Sequence, residues 1–228
     1  MTETHLIVFD VDGTLIDSQH LIVAAMETAF AGLDLAPPPR AEILGIVGLS
    51  LPAAAAALAP HLPAADLGRL EAGYRAEFMA QRERGGAEAH APLYPGARAA
   101  LERLASDPTV QLGVATGKAR RGLDHVLDSL GLEDFFVTTQ TADEHPSKPH
   151  PSMLETALLE TGLPAARAVM VGDTDFDILM GKAAGFATIG VAWGYHPRAR
   201  LEAAGADRVI EDFGALDAAL ADLRGSRA

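Results

Sequence analysis

Short apolar runs alternate with helical periodicity along most of the chain. Leu6-Ile7-Val8-Phe9 is continuously apolar and too short for a helix, the pattern of a strand buried on both faces. Similar runs stand at 110–114, 135–138, 168–171 and 187–191, with Val209-Ile210 as a short last strand. Helical patterns lie between them at 96–105, 119–130, 151–161 and 176–184, and a last one covers 215–223. Pro151 suits a first helical turn, and Gly131 and Gly162 suit helix C-termini. Strand–helix alternation at this spacing predicts an α/β fold built on a doubly wound, mostly parallel sheet.

One region breaks the rhythm. Between Ser18 and Ala91 the periodicity is helical throughout, over Gln19–Ala31, 40–47, 51–59 and 64–84. Pro37-Pro38-Pro39, Gly48 and the segment 60–63 separate these stretches. A helical block between the first and second strands predicts an inserted all-helical subdomain over 18–91, with 1–17 and 92–228 forming the α/β core. Its hinges fall near Asp17-Ser18 and between Gly85 and Gly96.

Composition narrows the partners. The 228 residues carry 31 Asp and Glu against 18 Lys and Arg, a formal net charge of −13. No basic run could neutralise a nucleic-acid backbone or dock on an anionic membrane. The absence of cysteine excludes disulfides, thiolate metal sites and a cysteine nucleophile. The N-terminal residues lack a basic segment followed by an apolar stretch, and no apolar run reaches the ~20 residues of a membrane span. The expectation is a cytoplasmic protein, monomeric or homodimeric.

In open α/β sheets, ligands bind beyond the carboxyl ends of the strands. Asp10-Val11-Asp12-Gly13-Thr14 follows the first expected strand, Thr116-Gly117-Lys118 the second, and a loop with Ser147-Lys148-Pro149 the third. Gly172-Asp173-Thr174-Asp175-Phe176-Asp177 follows the fourth, and Trp193-Gly194-Tyr195 the fifth. Taken singly, each has an ordinary reading: Asp-Gly turns, a capping Thr116, a surface Lys148, acidic residues opening a helix. Their convergence on one sheet edge does not. Grouped carboxylates repel unless a cation sits among them, and an all-oxygen donor set suits Mg²⁺.

Asp10-Val11-Asp12-Gly13-Thr14, Thr116-Gly117, Lys148 and Gly172-Asp173…Asp177 resemble, in order and spacing, the four motifs of the haloacid dehalogenase-like hydrolases. The resemblance covers essentially the whole chain, and its nearest branch is the phosphoglycolate phosphatase-like one. It implies a Rossmann-like core with a helical cap, and a phosphatase acting on a small phosphorylated metabolite, 2-phosphoglycolate being the leading candidate. It further implies Asp10 as nucleophile, Asp12 as general acid and base, and Mg²⁺ on Asp10, the Asp12 carbonyl and Asp173. Asp177 would orient Lys148 or a metal-bound water. Thr116, Gly117 and Lys148 would hold the phosphoryl group.

Neighbouring activities fit less well. Dehalogenase relatives lack an acid at the position of Asp12. A β-phosphoglucomutase-like phosphotransferase carries a cap histidine where this chain has Ile22. Phosphonatase relatives use a cap lysine, and none lies between Ser18 and Lys118. A non-catalytic phosphate- or metal-binding module of the receiver type would be half as long. Candidate substrate contacts outside the motifs are Gly48, Arg40 and Arg75 in the helical block and Trp193 after the fifth strand.

Overall fold

A computed structural model describes residues 3–85 and 91–226. Six strands form one sheet: β1 (His5–Phe9), β2 (Val110–Thr116), β3 (Thr138–Thr141), β4 (Ala168–Gly172), β5 (Ala187–Val191) and β6 (Arg208–Ile210). All pairs are parallel, in the order β3-β2-β1-β4-β5-β6. The order reverses between β1 and β4, where a doubly wound sheet opens a crevice.

Alternation along β1 shows why its run is unbroken. Ile7 and Phe9 enter one apolar layer, with Leu101, Leu123, Leu127 and Leu216. Leu6 and Val8 enter the opposite layer, with Met153, Leu154 and Met180. Each such side chain, removed from water, contributes about 1.5–3 kcal/mol. The covering helices are α5 (Ala97–Ala105), α6 (Arg120–Leu130) and α10 (Leu216–Ser226) on the first face, and α7 (Ser152–Thr161) and α8 (Asp175–Ala183) on the second. Gly131 and Gly162 end α6 and α7 in the left-handed conformation, as their positions suggested.

The third strand lies further along than its apolar run indicated. Phe135 closes a 3₁₀ turn (Glu133–Phe135), and Phe135 and Phe136 pack against the first apolar layer. Val137 is 61% exposed, and the strand itself is Thr-Thr-Gln-Thr. This edge strand is polar because Glu160 of α7 accepts hydrogen bonds from Thr138 Oγ1 and, at 2.9 Å, Gln140 Nε2. The short α9 (Arg198–Ala203) had no distinct apolar stripe to announce it.

Between β1 and β2 lie α1 (Gln19–Ala31), α2 (Arg40–Leu44), α3 (Leu51–Leu58) and α4 (Ala64–Gly85). The helix expected to 47 stops at Leu44, where Gly45 caps it. These helices share their own apolar cluster, with Ile22, Met26, Phe30, Ile43 and Leu70 at its centre. The expected second hinge runs partly through 86–90, outside the described residues. Residues 45–50, between α2 and α3, rest on the sheet edge. Ser50 N–H donates to Ser147 Oγ at 2.8 Å, and His196 Nε2 lies 3.1 Å from the Gly45 carbonyl oxygen. Burial holds the His196 pKa below its ordinary value, which favours the neutral ring that donates from Nε2 while Nδ1 accepts from the Asp175 N–H. No helix among the described residues is long and apolar enough to cross a membrane.

Candidate active site

Asp10 is the first residue past β1, and its N–H continues the pairing by donating to the Val171 carbonyl at 2.9 Å. The strand geometry then ends. The N–H groups of Leu15 and Ile16 fold back on the Val11 carbonyl, and Gly13 takes φ +83°. A Cβ at Gly13 would stand 2.2 Å from Asp173 Oδ2, so only glycine lets this turn approach the fourth strand end. Asp10 and Asp12 therefore part and answer to different cations.

Asp10 is fully buried beside Lys148, whose Nζ lies 3.0 Å from its Oδ1 and 2.7 Å from Asp177 Oδ1. Asp10 Oδ2 has no hydrogen-bond partner. Burial pushes the Asp10 carboxyl up to about 7; Lys148 opposes the rise, and Asp177 and Asp12 add to it. Asp173, also buried, accepts from the Tyr195 N–H at 2.8 Å and from Thr14 Oγ1 at 3.0 Å. Burial and then Asp177 and Asp10 raise it well above the ordinary carboxylate range, against those two hydrogen bonds. Burial also pulls Lys148 down, but Asp10 and Asp177 outweigh it and hold the ammonium above its usual value.

Asp177 owes its place to helix capping. Thr174 and Asp177 form a capping box at the start of α8, with Asp177 Oδ2 accepting from the Thr174 N–H at 3.1 Å. One oxygen thus caps a helix while the other meets Lys148.

One oxygen from each of Asp10, Asp173 and Asp177 can be chosen so that all lie within 4.8 Å of one another. Three buried carboxylates against one ammonium leave an excess of negative charge in a low-dielectric pocket, a costly arrangement without a cation. The unpartnered Asp10 oxygen and the all-oxygen donors fit a small hard divalent ion. The Asp12 carboxylate stands outside this group.

Asp12 instead meets Lys118, whose Nζ reaches both carboxylate oxygens at 2.7 Å, and it accepts from Ser18 Oγ. Tyr195 Oη lies 3.1 Å from Ser18 Oγ. These partners escaped the sequence reading. Lys118 adjoins Thr116-Gly117 at a strand end, which was the available signal, but nothing local ties it to a residue 106 positions away.

Thr116 ends β2, buried, with its Oγ1 accepting from the Lys118 N–H at 3.3 Å. A Cβ on Gly117 would stand 2.6 Å from the carbonyl oxygens of both Gly48 and Leu49. Gly48 has φ +101° and lies close to Thr174. These approaches enclose a cavity of about 560 Å³ that reaches Asp10, Asp12, Thr116, Gly117 and Lys118 from the sheet and Gly48 and Arg75 from the helices. Arg75 is already paired with Glu71 at 3.2 Å.

Two candidate contacts lie elsewhere. Arg40 is exposed and donates to Gln19 Oε1 at 2.6 Å, outside the cavity lining. Trp193 donates its indole N–H to the Thr14 carbonyl at 3.1 Å and packs on Phe213 with ring centroids 4.6 Å apart. Its ring is partly buried against the first apolar layer and is not part of the cavity lining.

A family model described as haloacid dehalogenase-like hydrolase matches residues 7–191. The chain is 37% identical to a protein of Dickeya dadantii named probable phosphatase IndB, over 91% of this chain and 90% of that one. It is 33% identical to a phosphoglycolate phosphatase of Rhodospirillum rubrum, over 92% and 88%. Among solved structures it resembles a hydrolase of the haloacid dehalogenase-like family from Streptococcus pneumoniae, at TM-score 0.82 and 26% identity, covering 96% of this chain and 99% of that one.

Proposed function

The chain belongs to the haloacid dehalogenase-like hydrolase family, and we propose that it is a Mg²⁺-dependent phosphatase of small phosphate monoesters working through an aspartyl-phosphate on Asp10. The observation that carries this reading is the Asp10 carboxylate itself. It is buried, held by Lys148 on one oxygen and unpartnered on the other, in the lining of a cavity that also reaches Thr116 and Gly117.

Asp10, Asp173 and the Asp12 carbonyl would hold Mg²⁺, with Asp177 beside them. When bound, the ion supplies neutralising charge to the phosphoryl oxygens and to the carboxylates around it. Asp10 Oδ2 attacks phosphorus as the ester P–O bond breaks, forming an acyl-phosphate. The leaving oxygen takes its proton from Asp12. Water then attacks the acyl-phosphate and returns a proton to Asp12, releasing inorganic phosphate and the Asp10 carboxylate. Lys118 and Ser18 fix the direction in which Asp12 presents its oxygens. Lys148, Thr116 Oγ1 and the Gly117 N–H receive the charge of the transferring phosphoryl group, so catalysis is chiefly positioning and electrostatics.

Residues 18–91 act in this reading as a cap over the core formed by 1–17 and 92–228, shutting out bulk water while Asp10 reacts. Ile22, where mutases carry a cap histidine, lines the cavity as an apolar residue that can neither donate nor accept a proton. This favours hydrolysis over phosphoryl return to a sugar. Phosphate release from p-nitrophenyl phosphate with and without Mg²⁺ tests the reading. Turnover should require the ion, and Asp10→Asn should abolish both turnover and the acid-stable phosphoprotein detected by mass spectrometry. Undiminished hydrolysis by that variant would sink the assignment.

A further inference from the structure

Resting on the phosphatase reading, we infer that the preferred ester carries an uncharged alcohol with a flat apolar ring, rather than a short carboxylated one such as 2-phosphoglycolate. The helical wall of the cavity is the reason. Facing Asp10 and Asp12 stand Ile22 and Met26 of α1, Val47 and Leu49 of the loop between α2 and α3, and Tyr74 and Phe78 of α4. Tyr74 and Phe78 are four residues apart on one helical face and stack with centroids 5.7 Å apart and planes 23° from parallel. Phe78 also covers Lys118, whose Nζ lies 5.3 Å from its ring centroid, so this aromatic pair borders the residue that holds Asp12.

Size and charge point the same way. A cavity of about 560 Å³ falls in the range that encloses ring-bearing ligands, and a two-carbon alcohol would leave most of the apolar wall facing water. A carboxylate against that wall would lose hydration, and the cation beside it, Lys118, is already held by both Asp12 oxygens. The arginines at the margin, Arg75 and Arg121, are exposed, and Arg75 is paired with Glu71. An exposed ion pair there gives little discrimination. A flat ring instead meets the Tyr74–Phe78 surface and buries its own apolar area against it. The reaction is that proposed above, ester plus water giving the neutral alcohol and inorganic phosphate.

The test compares three alkyl esters of similar leaving-group reactivity: 2-phenylethyl phosphate, ethyl phosphate and 2-phosphoglycolate, each with Mg²⁺. The expected kcat/KM for the phenylethyl ester exceeds both others by about a hundredfold, the scale a well-filled apolar pocket supplies. Phe78→Ala should shrink the phenylethyl-to-ethyl ratio by about tenfold, mostly through KM. Phe78→Leu, which keeps an apolar side chain of similar bulk and guards against unfolding, should fall between. A preference for 2-phosphoglycolate that Arg75→Ala abolishes overturns the inference and leaves the phosphatase reading standing. No hydrolysis of any ester, p-nitrophenyl phosphate included, overturns both.

Discussion

Replacing Asp10 by Asn should stabilise the protein when no metal is present, although it removes the proposed nucleophile. The carboxyl is fully buried and its pKa is pushed up to about 7 from an ordinary 3.8, so ionising it in the folded state is unfavourable. A rise of about three units corresponds to about 4 kcal/mol at pH 7.5, at 1.36 kcal/mol per unit. That is a ceiling, because Asn gives Lys148 a weaker partner than the carboxylate and leaves the ammonium leaning on Asp177. A gain of about 2 kcal/mol is expected, or roughly 4–8 °C in Tm for a chain of this size. The sign with pH follows from the raised folded-state value. Stability contributed by this group is present below about pH 4 and is lost as pH climbs through about 7. The gap between variant and wild type should therefore widen from pH 5 to pH 7.5. Thermal melts followed by circular dichroism in chelator measure it directly. A variant that melts at or below the wild type at pH 7.5, or a gap that narrows with rising pH, refutes the view of Asp10 as a buried charge awaiting a cation.

Other consequences are open to equally direct measurement. Added Mg²⁺ at a hundred times its Kd should raise the wild-type Tm by about 5–11 °C, following a stabilisation of about 2.7 kcal/mol, and Asp173→Asn should erase most of that shift. Lys118→Met should lower kcat by at least tenfold with KM little changed, because Asp12 loses the cation that holds both its oxygens, and Lys118→Arg should recover part of the loss. Gly117→Ala should destabilise by about 1–3 kcal/mol in denaturant titrations and raise KM, since the new methyl would press on the carbonyls of Gly48 and Leu49. Ser147→Ala removes the acceptor for the Ser50 N–H and should cost about 1 kcal/mol of stability by the same titration.

What could be read from the sequence was whatever a strand end announces locally. Asp10, Thr116, Lys148 and Asp173 each follow an apolar run or its loop, and parallel strands deliver their successors to one edge by geometry alone. The third strand was displaced because its apolar signal belongs to Phe135 and Phe136, which pack under the sheet. The true strand is polar, since its hydrogen-bonding partner Glu160 lies in a later helix. Lys118 was invisible as a partner of Asp12 for a related reason: an ion pair between distant residues exists only once the chain has folded. The place of Trp193 depends on the fold in the same way, since its ring packs on Phe213, twenty residues on.

The divided carboxylate of Asp177 limits how this protein can be altered. Its two oxygens serve different masters, Oδ1 the Lys148 ammonium and Oδ2 the first turn of α8. A change of charge there alters the active-site cluster and loosens a core helix in one stroke, so the two effects arrive together in any assay. The same residue therefore ties the chemistry to the scaffold and denies it independent variation. Freedom to explore new substrates is left to the wall formed by α1 and α4, where Ile22, Met26, Tyr74 and Phe78 line the cavity.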